Sequence, residues 1–267
     1  MTVYLGNKPV GVTKIVKKEV AKKKYGASVD AWIGDVDANG ALSRPTWTGA
    51  LNFTGVKRLY DAALNFAFYG RNGITSVNLS SLTTVSDYGL SYAFNSCHGI
   101  TSVNLSSLTT VDNYGLNSAF NDCDGITNLD LSSLTTVGSN GLSSAFRGTS
   151  ITSVNLSSLT TVGSYGLYNA FRETSITNVN LSSLQSVGSS GMNGTFYGCK
   201  ALTTIWFPSL TSINKNSFGT GTASYVFNNC TALTEIHFRA DMQSTIEAMT
   251  AYSSKWGATN ATIYFDL

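Results

Sequence analysis

Charge is scarce in this chain: only 12% of its 267 residues are Asp, Glu, Lys or Arg. Ser, Thr, Asn and Gly stand in their place. So weakly charged a surface lacks the concentrated basic field that grips a phosphate backbone, which excludes nucleic acid as a partner. Histidine is scarcer still. His98 and His237 are the two present; neither neighbours a recognisable nucleophile motif, and the carboxylates are too dispersed to divide acid and base work. No glycine-rich phosphate loop of the usual spacing occurs, and no cofactor is implied. These absences argue against an enzyme. No run is long and apolar enough to span a bilayer, so membrane insertion is not expected. The opening Met1-Thr-Val-Tyr-Leu-Gly6 reads as a strand, not as an export signal. We therefore expect either a mature form without its signal or release by another route, such as incorporation into a phage particle.

Cysteine is limited to Cys97, Cys123, Cys199 and Cys230, with no CxxC and no Cys/His cluster. Each lies three residues after a phenylalanine, at Phe94, Phe120, Phe196 and Phe227. One recurrent position facing a core explains all four as small buried groups. A bond between Cys97 and Cys123 is conceivable on adjacent units but unnecessary.

What the chain has in abundance is repetition. Ile74-Thr-Ser-Val-Asn-Leu-Ser-Ser-Leu-Thr-Thr-Val85 returns almost letter for letter at Ile100, Ile126, Ile151 and Ile176, a period of 25 to 26 residues. A fixed period of that length marks a supersecondary unit that buries its apolar face only against its neighbours, and hence a solenoid. Leu59 and Phe68 repeat the spacing of Val85 and Phe94, so residues 48–73 form a diverged first rung. Further rungs follow at 74–99, 100–125, 126–150, 151–175 and 176–201. A longer one begins at Leu202, and Leu233 to Phe238 gives a closing strand.

Within a rung, Ile74, Val77, Leu79, Leu82, Val85, Leu90 and Phe94 are expected to point inward. The Val77/Leu79 alternation predicts a strand, and the wider steps after it predict turns or 3₁₀ segments. The strands of successive rungs then pair in parallel. Gly89, Gly115, Gly141, Gly166 and Gly191 recur where the chain turns back. Either a conformation that a Cβ would strain or plain close packing accounts for them. Residues 239–267 read as a C-terminal cap: Asp241 as a helix N-cap, Met242, Ile246 and Met249 on one face, and Thr262 to Phe265 as a returning strand. Residues 1–47 form a basic N-terminal region whose first 30 residues carry a charge of +5, against −3 for copies 74–201. Its stretch Lys14–Tyr25 has helical composition and stops at Gly26; its lysines are a solvated face or an attachment segment, with self-association also open.

The pattern I-x-x-V-x-L, S-x-L-x-x-V, G-L-x-x-A-F-x-x-C, with Ala93-Phe94-Asn-Ser-Cys97 and Ala119-Phe120-Asn-Asp-Cys123 as its most specific elements, resembles the BspA-like leucine-rich repeats of bacterial surface proteins. The likeness covers residues 48–238. That family usually has Pro after the strand's last apolar residue; only Pro208 keeps it, and Ser80, Ser106, Ser132, Ser157 and Ser182 replace it. Gly34 to Leu42, Ile236 to Asp241 and Ile263 to Leu267 also resemble the ends of repeat proteins encoded by gut bacteria and their prophages. The resemblance implies a leucine-rich-repeat solenoid, with a parallel β-sheet on one face, turns and short 3₁₀ segments on the other, and a cap at each end. It also implies recognition of a protein or glycan. A phage or prophage tail-associated component is the first expectation, a bacterial surface adhesin the second, and a cytoplasmic scaffold the third.

Candidate sites lie where the copies differ. The column before the recurrent glycine reads Tyr88, Tyr114, Asn140, Tyr165, Ser190, and the column after the recurrent phenylalanine reads Asn95, Asn121, Arg147, Arg172, Tyr197; Tyr92 and Tyr168 lie nearby. Tyr, Asn, Ser and Arg are the vocabulary of paratopes, although relaxed constraint at exposed turns produces the same variation. Trp206, Glu235, His237 and Arg239 break the bland strand columns near the C-terminal end, with Trp206 either packed under residues 239–267 or open to a ligand. The outward columns Ser76/Ser102/Asn128/Ser153/Asn178 and Asn78/Asn104/Asp130/Asn155/Asn180 suit a glycan or form an inert ladder. Asp35, Asp37 and Asn39 match the first half of a calcium loop, but Thr46 stands where the bidentate carboxylate belongs, so an ordinary turn is the plainer reading.

Overall fold

The computed structural model describes residues 48–267 in full, and the backbone alone at residues 4–5, 8–9, 35–36 and 42–43. The apolar period of the sequence produces a coil of chain in which each rung contributes to three faces. On the first, nine short strands stack in order: Gly49–Asn52, Ile74–Asn78, Ser102–Asn104, Leu129–Asp130, Ser153–Asn155, Asn178–Asn180, Thr204–Phe207, Glu235–Phe238 and Thr262–Phe265. Pairing is parallel and in register, as in Val77↔Val103, Val154↔Val179 and Ile205↔Ile236. On the second face, two-residue strands from Arg58–Leu59 to Ser212–Ile213 make a seven-stranded parallel sheet.

The third face is neither strand nor helix. Residues 86–97 form overlapping turns in which alternate amides have different destinations. Gly89, Ser91, Ala93, Asn95 and Cys97 donate to the carbonyl three residues back. Tyr88, Leu90, Tyr92, Phe94 and Ser96 donate instead to Asn113, Gly115, Asn117, Ala119 and Asn121 of the following rung. Every fourth residue, at Tyr88, Tyr92 and Ser96, takes a positive φ of 54 to 58°. Backbone carbonyls take up most of this face's amides, and side chains of the preceding rung serve a few, as where Asp87 Oδ1 accepts the Asn113 amide and Asn113 Oδ1 the Ser139 amide at 2.9 Å.

The recurrent glycine is therefore not the strained residue; the side chain before it is. Gly89 has an ordinary φ, and a Cβ there would lie 2.8 Å from Val85 Cγ1, so close packing is what requires glycine in this column. The core is otherwise as the period implies. Ile74, Leu79, Leu82, Val85, Leu90 and Phe94 are fully buried. The phenylalanines stack in one file, Phe68–Phe94–Phe120–Phe146–Phe171–Phe196–Phe227, with centroids 5.0 Å apart at the start and 6.3 Å at the end.

Both edges of the strand face are covered. Tyr4–Leu5 pairs antiparallel with Gly49–Asn52, and Lys8–Pro9 pairs with Tyr4–Leu5 in turn. At the other end Thr262–Phe265 pairs in parallel with Glu235–Phe238, the returning strand expected from the sequence. Met242, Ile246 and Met249 are buried as expected, but the helix is the short Gln243–Glu247, and Asp241 does not cap it. Asp241 instead accepts a 2.9 Å hydrogen bond from Arg239 Nε, which holds its carboxyl below the usual range. Trp256 is the buried keystone of this segment: its Nε1 donates to the Thr250 carbonyl at 2.8 Å, and its own carbonyl accepts the Phe227 amide at 3.1 Å.

Candidate functional site

The asparagine column of the strand face proves to be committed to the backbone. Asn78, Asn104, Asp130, Asn155 and Asn180 each accept, through Oδ1, the amide of the serine two residues on, at 2.9 to 3.1 Å. These are Asx turns that close the strand's exit. The serines that stand where the family has proline each bring an amide that needs a partner, and the asparagine supplies it. At Pro208 no amide exists, so position 206 is released from that duty and carries a tryptophan. The neighbouring Thr83, Thr109, Thr135 and Thr160 are committed likewise, each hydroxyl donating to a carbonyl of the preceding rung at 2.9 to 3.0 Å. The Oδ1 groups of the one column and the hydroxyls of the other are thus engaged within the solenoid.

From Trp206 onward the same column becomes aromatic. Trp206 lies flat on His237, centroids 3.8 Å apart and planes within 1°, and His237 stacks on Tyr264 at 4.7 Å. Trp206 is not covered by residues 239–267; it is 45% exposed. His237 is only 6% exposed, which removes it from the residues that a partner could touch directly. Its Nδ1 lies 2.9 Å from Asp266 Oδ1, and its Nε2 3.5 Å from Glu235 Oε2. Arg239 is half-buried beside Asp241.

On the turn face, the variable positions coincide with backbone constraint. Tyr88, Tyr114, Asn140, Tyr165 and Ser190 all have positive φ, as do Tyr92, Ser118, Ser144 and Asn169 in the next column. No β-branched residue occupies either column. Asn, Ser and Gly are there because the left-handed conformation admits them, so that part of the paratope vocabulary is a backbone requirement. The aromatic residues are not explained this way. Tyr88 stacks on Tyr114 at 4.8 Å and Phe66 on Tyr92 at 4.6 Å, while Phe66, Tyr69 and Tyr88 remain well exposed. Phe66 and Tyr69 were missed because they lie in the diverged first rung; setting Phe66 26 residues before Tyr92 would have found them. Tyr165 and Tyr168 meet edge to face at 6.0 Å in a separate group.

Arg147 and Arg172 converge on one carboxylate. Each guanidinium lies 3.4 Å from Glu173, and Arg172 also sits 3.8 Å over the Tyr197 ring. Beside them opens a concavity of about 480 Å³ lined by Glu173, Ser175, Tyr197, Lys200 and Asn229. The remaining histidine, His98, is exposed and lies 3.3 Å from Asp124.

The four cysteines are free and buried. Cys97, Cys123 and Cys230 each point Sγ at a phenylalanine carbonyl of the preceding rung, 2.9 to 3.0 Å away, and Cys199 does so at 3.2 Å. Burial pushes the Cys97 and Cys199 thiols up to about 11 and raises those of Cys123 and Cys230 further. The two copies without cysteine do not lose the position: Thr149 and Thr174 fill it, donating to the Phe146 and Phe171 carbonyls at 2.8 Å. Among the described residues no cluster of His, Cys, Asp and Glu could hold a metal ion, and no helix is long and apolar enough to cross a membrane. Asp35–Val36 pairs antiparallel with Leu42–Ser43; Asp37, Asn39 and the stretch Lys14–Tyr25 lie outside the described residues.

A family model described as BspA type leucine rich repeat region matches the chain over residues 64–169, 116–224 and 167–255. Among solved structures, the chain is 14% identical to a leucine rich cell surface protein from Faecalibacterium prausnitzii, with a TM-score of 0.35 over 76% of this chain and 64% of that one. A leucine-rich repeat protein from Bacteroides ovatus gives 14% and 0.30 over 74% and 62%. One from Eubacterium ventriosum gives 15% and 0.31 over 72% and 73%. The chain thus spans somewhat under two thirds of the length of the first two. No curated protein gives a match to the sequence.

Proposed function

Because the chain belongs to the BspA-type leucine-rich-repeat family, we propose that it is a recognition protein of the adhesin type, which binds a macromolecular ligand and performs no chemistry on it. The observation that carries this reading is the aromatic edge of the first three rungs. Phe66, Tyr69 and Tyr88 stand exposed beside Tyr92 and Tyr114, although the turn face meets its own backbone requirements without them. Large rings held rigid by stacking offer contact area with little entropy left to lose, and aromatic residues dominate binding hot spots. The rings are stacked in pairs and remain exposed in part. That arrangement favours a protein partner over a sugar, which would need an open ring face.

Trp206 supplies a second aromatic contact on the strand face, with Tyr165 and Tyr168 farther along the turns. The test is a protein and glycan array probed with the full chain, repeated with Phe66→Ser, Tyr88→Ala and Tyr114→Ala combined. Loss of the captured partner is expected, and unchanged capture would sink the aromatic-edge assignment. Where the protein resides decides between the finer roles. Recovery from purified phage particles by mass spectrometry would assign it to a virion or tail, and recovery from shaved cell surfaces to an adhesin. A co-purifying intracellular partner would make it a scaffold.

A further inference from the structure

The three basic side chains of copies 74–201 are not scattered over them. Arg147, Arg172 and Lys200 come from three successive rungs and gather at one corner, around the single carboxylate of Glu173, on a body whose copies are otherwise acidic. The corner is hollow for a reason visible in the sequence. Between the core position and the next strand, the copies ending at 150 and 175 have one residue where their neighbours have two: Ser175 alone precedes Ile176, whereas Lys200 and Ala201 precede Leu202. The shorter corner is recessed, the longer one overhangs it, and the concavity of about 480 Å³ lies at the step.

We infer that this concavity is a binding site for an acidic saccharide, one that carries a carboxylate on a hydroxyl-rich ring. Lys200 is exposed and has no carboxylate partner among the described residues, so its ammonium is free for a ligand's negative charge. Glu173 is already matched by two guanidiniums, and its oxygens serve as acceptors for sugar hydroxyls without repelling an anion strongly. Ser175 and Asn229 add a hydroxyl and an amide, and Asn229 Nδ2 fixes the Tyr197 hydroxyl at 3.1 Å. The ring of Tyr197 is held in place by Arg172 on one face. Besides that ring, Thr174, Gly198 and Ala201 complete the lining, so a ring face stands beside hydroxyl, amide and charged groups, the mixture a sugar ring presents in turn. The volume falls within the ordinary range of small-ligand sites, roughly 300 to 1,000 Å³.

The inference goes beyond the recognition reading above and does not require the aromatic edge. The full chain is titrated, by calorimetry or ligand-observed NMR, with methyl glucuronide, methyl glucoside and a short Asp/Glu-rich peptide. Glucuronide is expected to bind and to weaken with added salt, and glucoside to bind about tenfold more weakly or not at all. Lys200→Gln, at an exposed position with no structural partner, should cut glucuronide affinity by about tenfold. Phe66→Ser should leave it unchanged. Equal binding of glucoside, insensitivity to Lys200→Gln, preference for the peptide, or no binding of glucuronide would each overturn the assignment. Loss of array capture in the Phe66 variant together with intact glucuronide binding separates the fate of this site from that of the aromatic edge.

Discussion

The strand face of rungs two to six and the same face from rung seven onward differ by one exchange, and its effects are instructive. In the former, an asparagine or aspartate closes on a serine amide in every copy. In rung seven Pro208 removes the amide, and from there a ladder of Trp206, His237 and Tyr264 occupies the column, with Arg239 and Asp266 standing two residues after the last two. A polar column that looks like a ligand array gives its Oδ1 acceptors to its own backbone. The turn face repeats the lesson in another form: positive φ restricts which side chains can stand there, and the exposed rings are what remains once that restriction is accounted for.

Both regions rest on one shared core. Phe146→Ala removes the middle of the phenylalanine file and should cost about 3 to 5 kcal/mol in denaturant unfolding; a cost near that of a surface change would mean that rungs fold independently of the stack. Alkaline pH is the next largest lever. The folded thiols resist ionisation, with Cys97 and Cys199 near 11, whereas an unfolded cysteine ionises near 8.5 to 9. Their contribution is fully present below the unfolded value and is lost as pH rises through the folded one, by about 1.4 kcal/mol per thiol per pH unit at most. The thermal midpoint should therefore fall from pH 9 to 11, and replacing all four cysteines by threonine should flatten that fall.

Asn155→Ala should cost about 1 kcal/mol by leaving the Ser157 amide without its acceptor. Adding Ser157→Pro should recover most of that loss, whereas additive losses in the double mutant would refute the exchange. Trp206→Ala should be mildest, about 0.5 to 1.5 kcal/mol from lost stacking on His237.

The scaffold was legible in the sequence because a fixed interval of apolar residues has one physical use, and Ile74, Leu79, Val85 and Phe94 are each buried where the interval places them. Conformation at the turns was not, since a glycine that fills a tight space and one that bends the chain look alike; the positive φ belongs to Tyr88, beside Gly89. Trp206 and Pro208 occurring in one copy, where others have Asn and Ser, was a readable signal of the Asx exchange. The charge balance of the copies was readable too, but not the meeting of Arg147, Arg172 and Lys200, which depends on a one-residue step between corners.

On the turn face, five alternate amides in each of the first five rungs donate to carbonyls of the following rung. Peptide dipoles on this face therefore align along the stack, carbonyls facing the leading end and amides the trailing end, much as they align along a helix. The solenoid thus has a head and a tail that are not interchangeable. Copies could be added at either end only in the same orientation, and the Trp256 carbonyl, which takes up the Phe227 amide, is where the C-terminal segment brings that polarity to a stop.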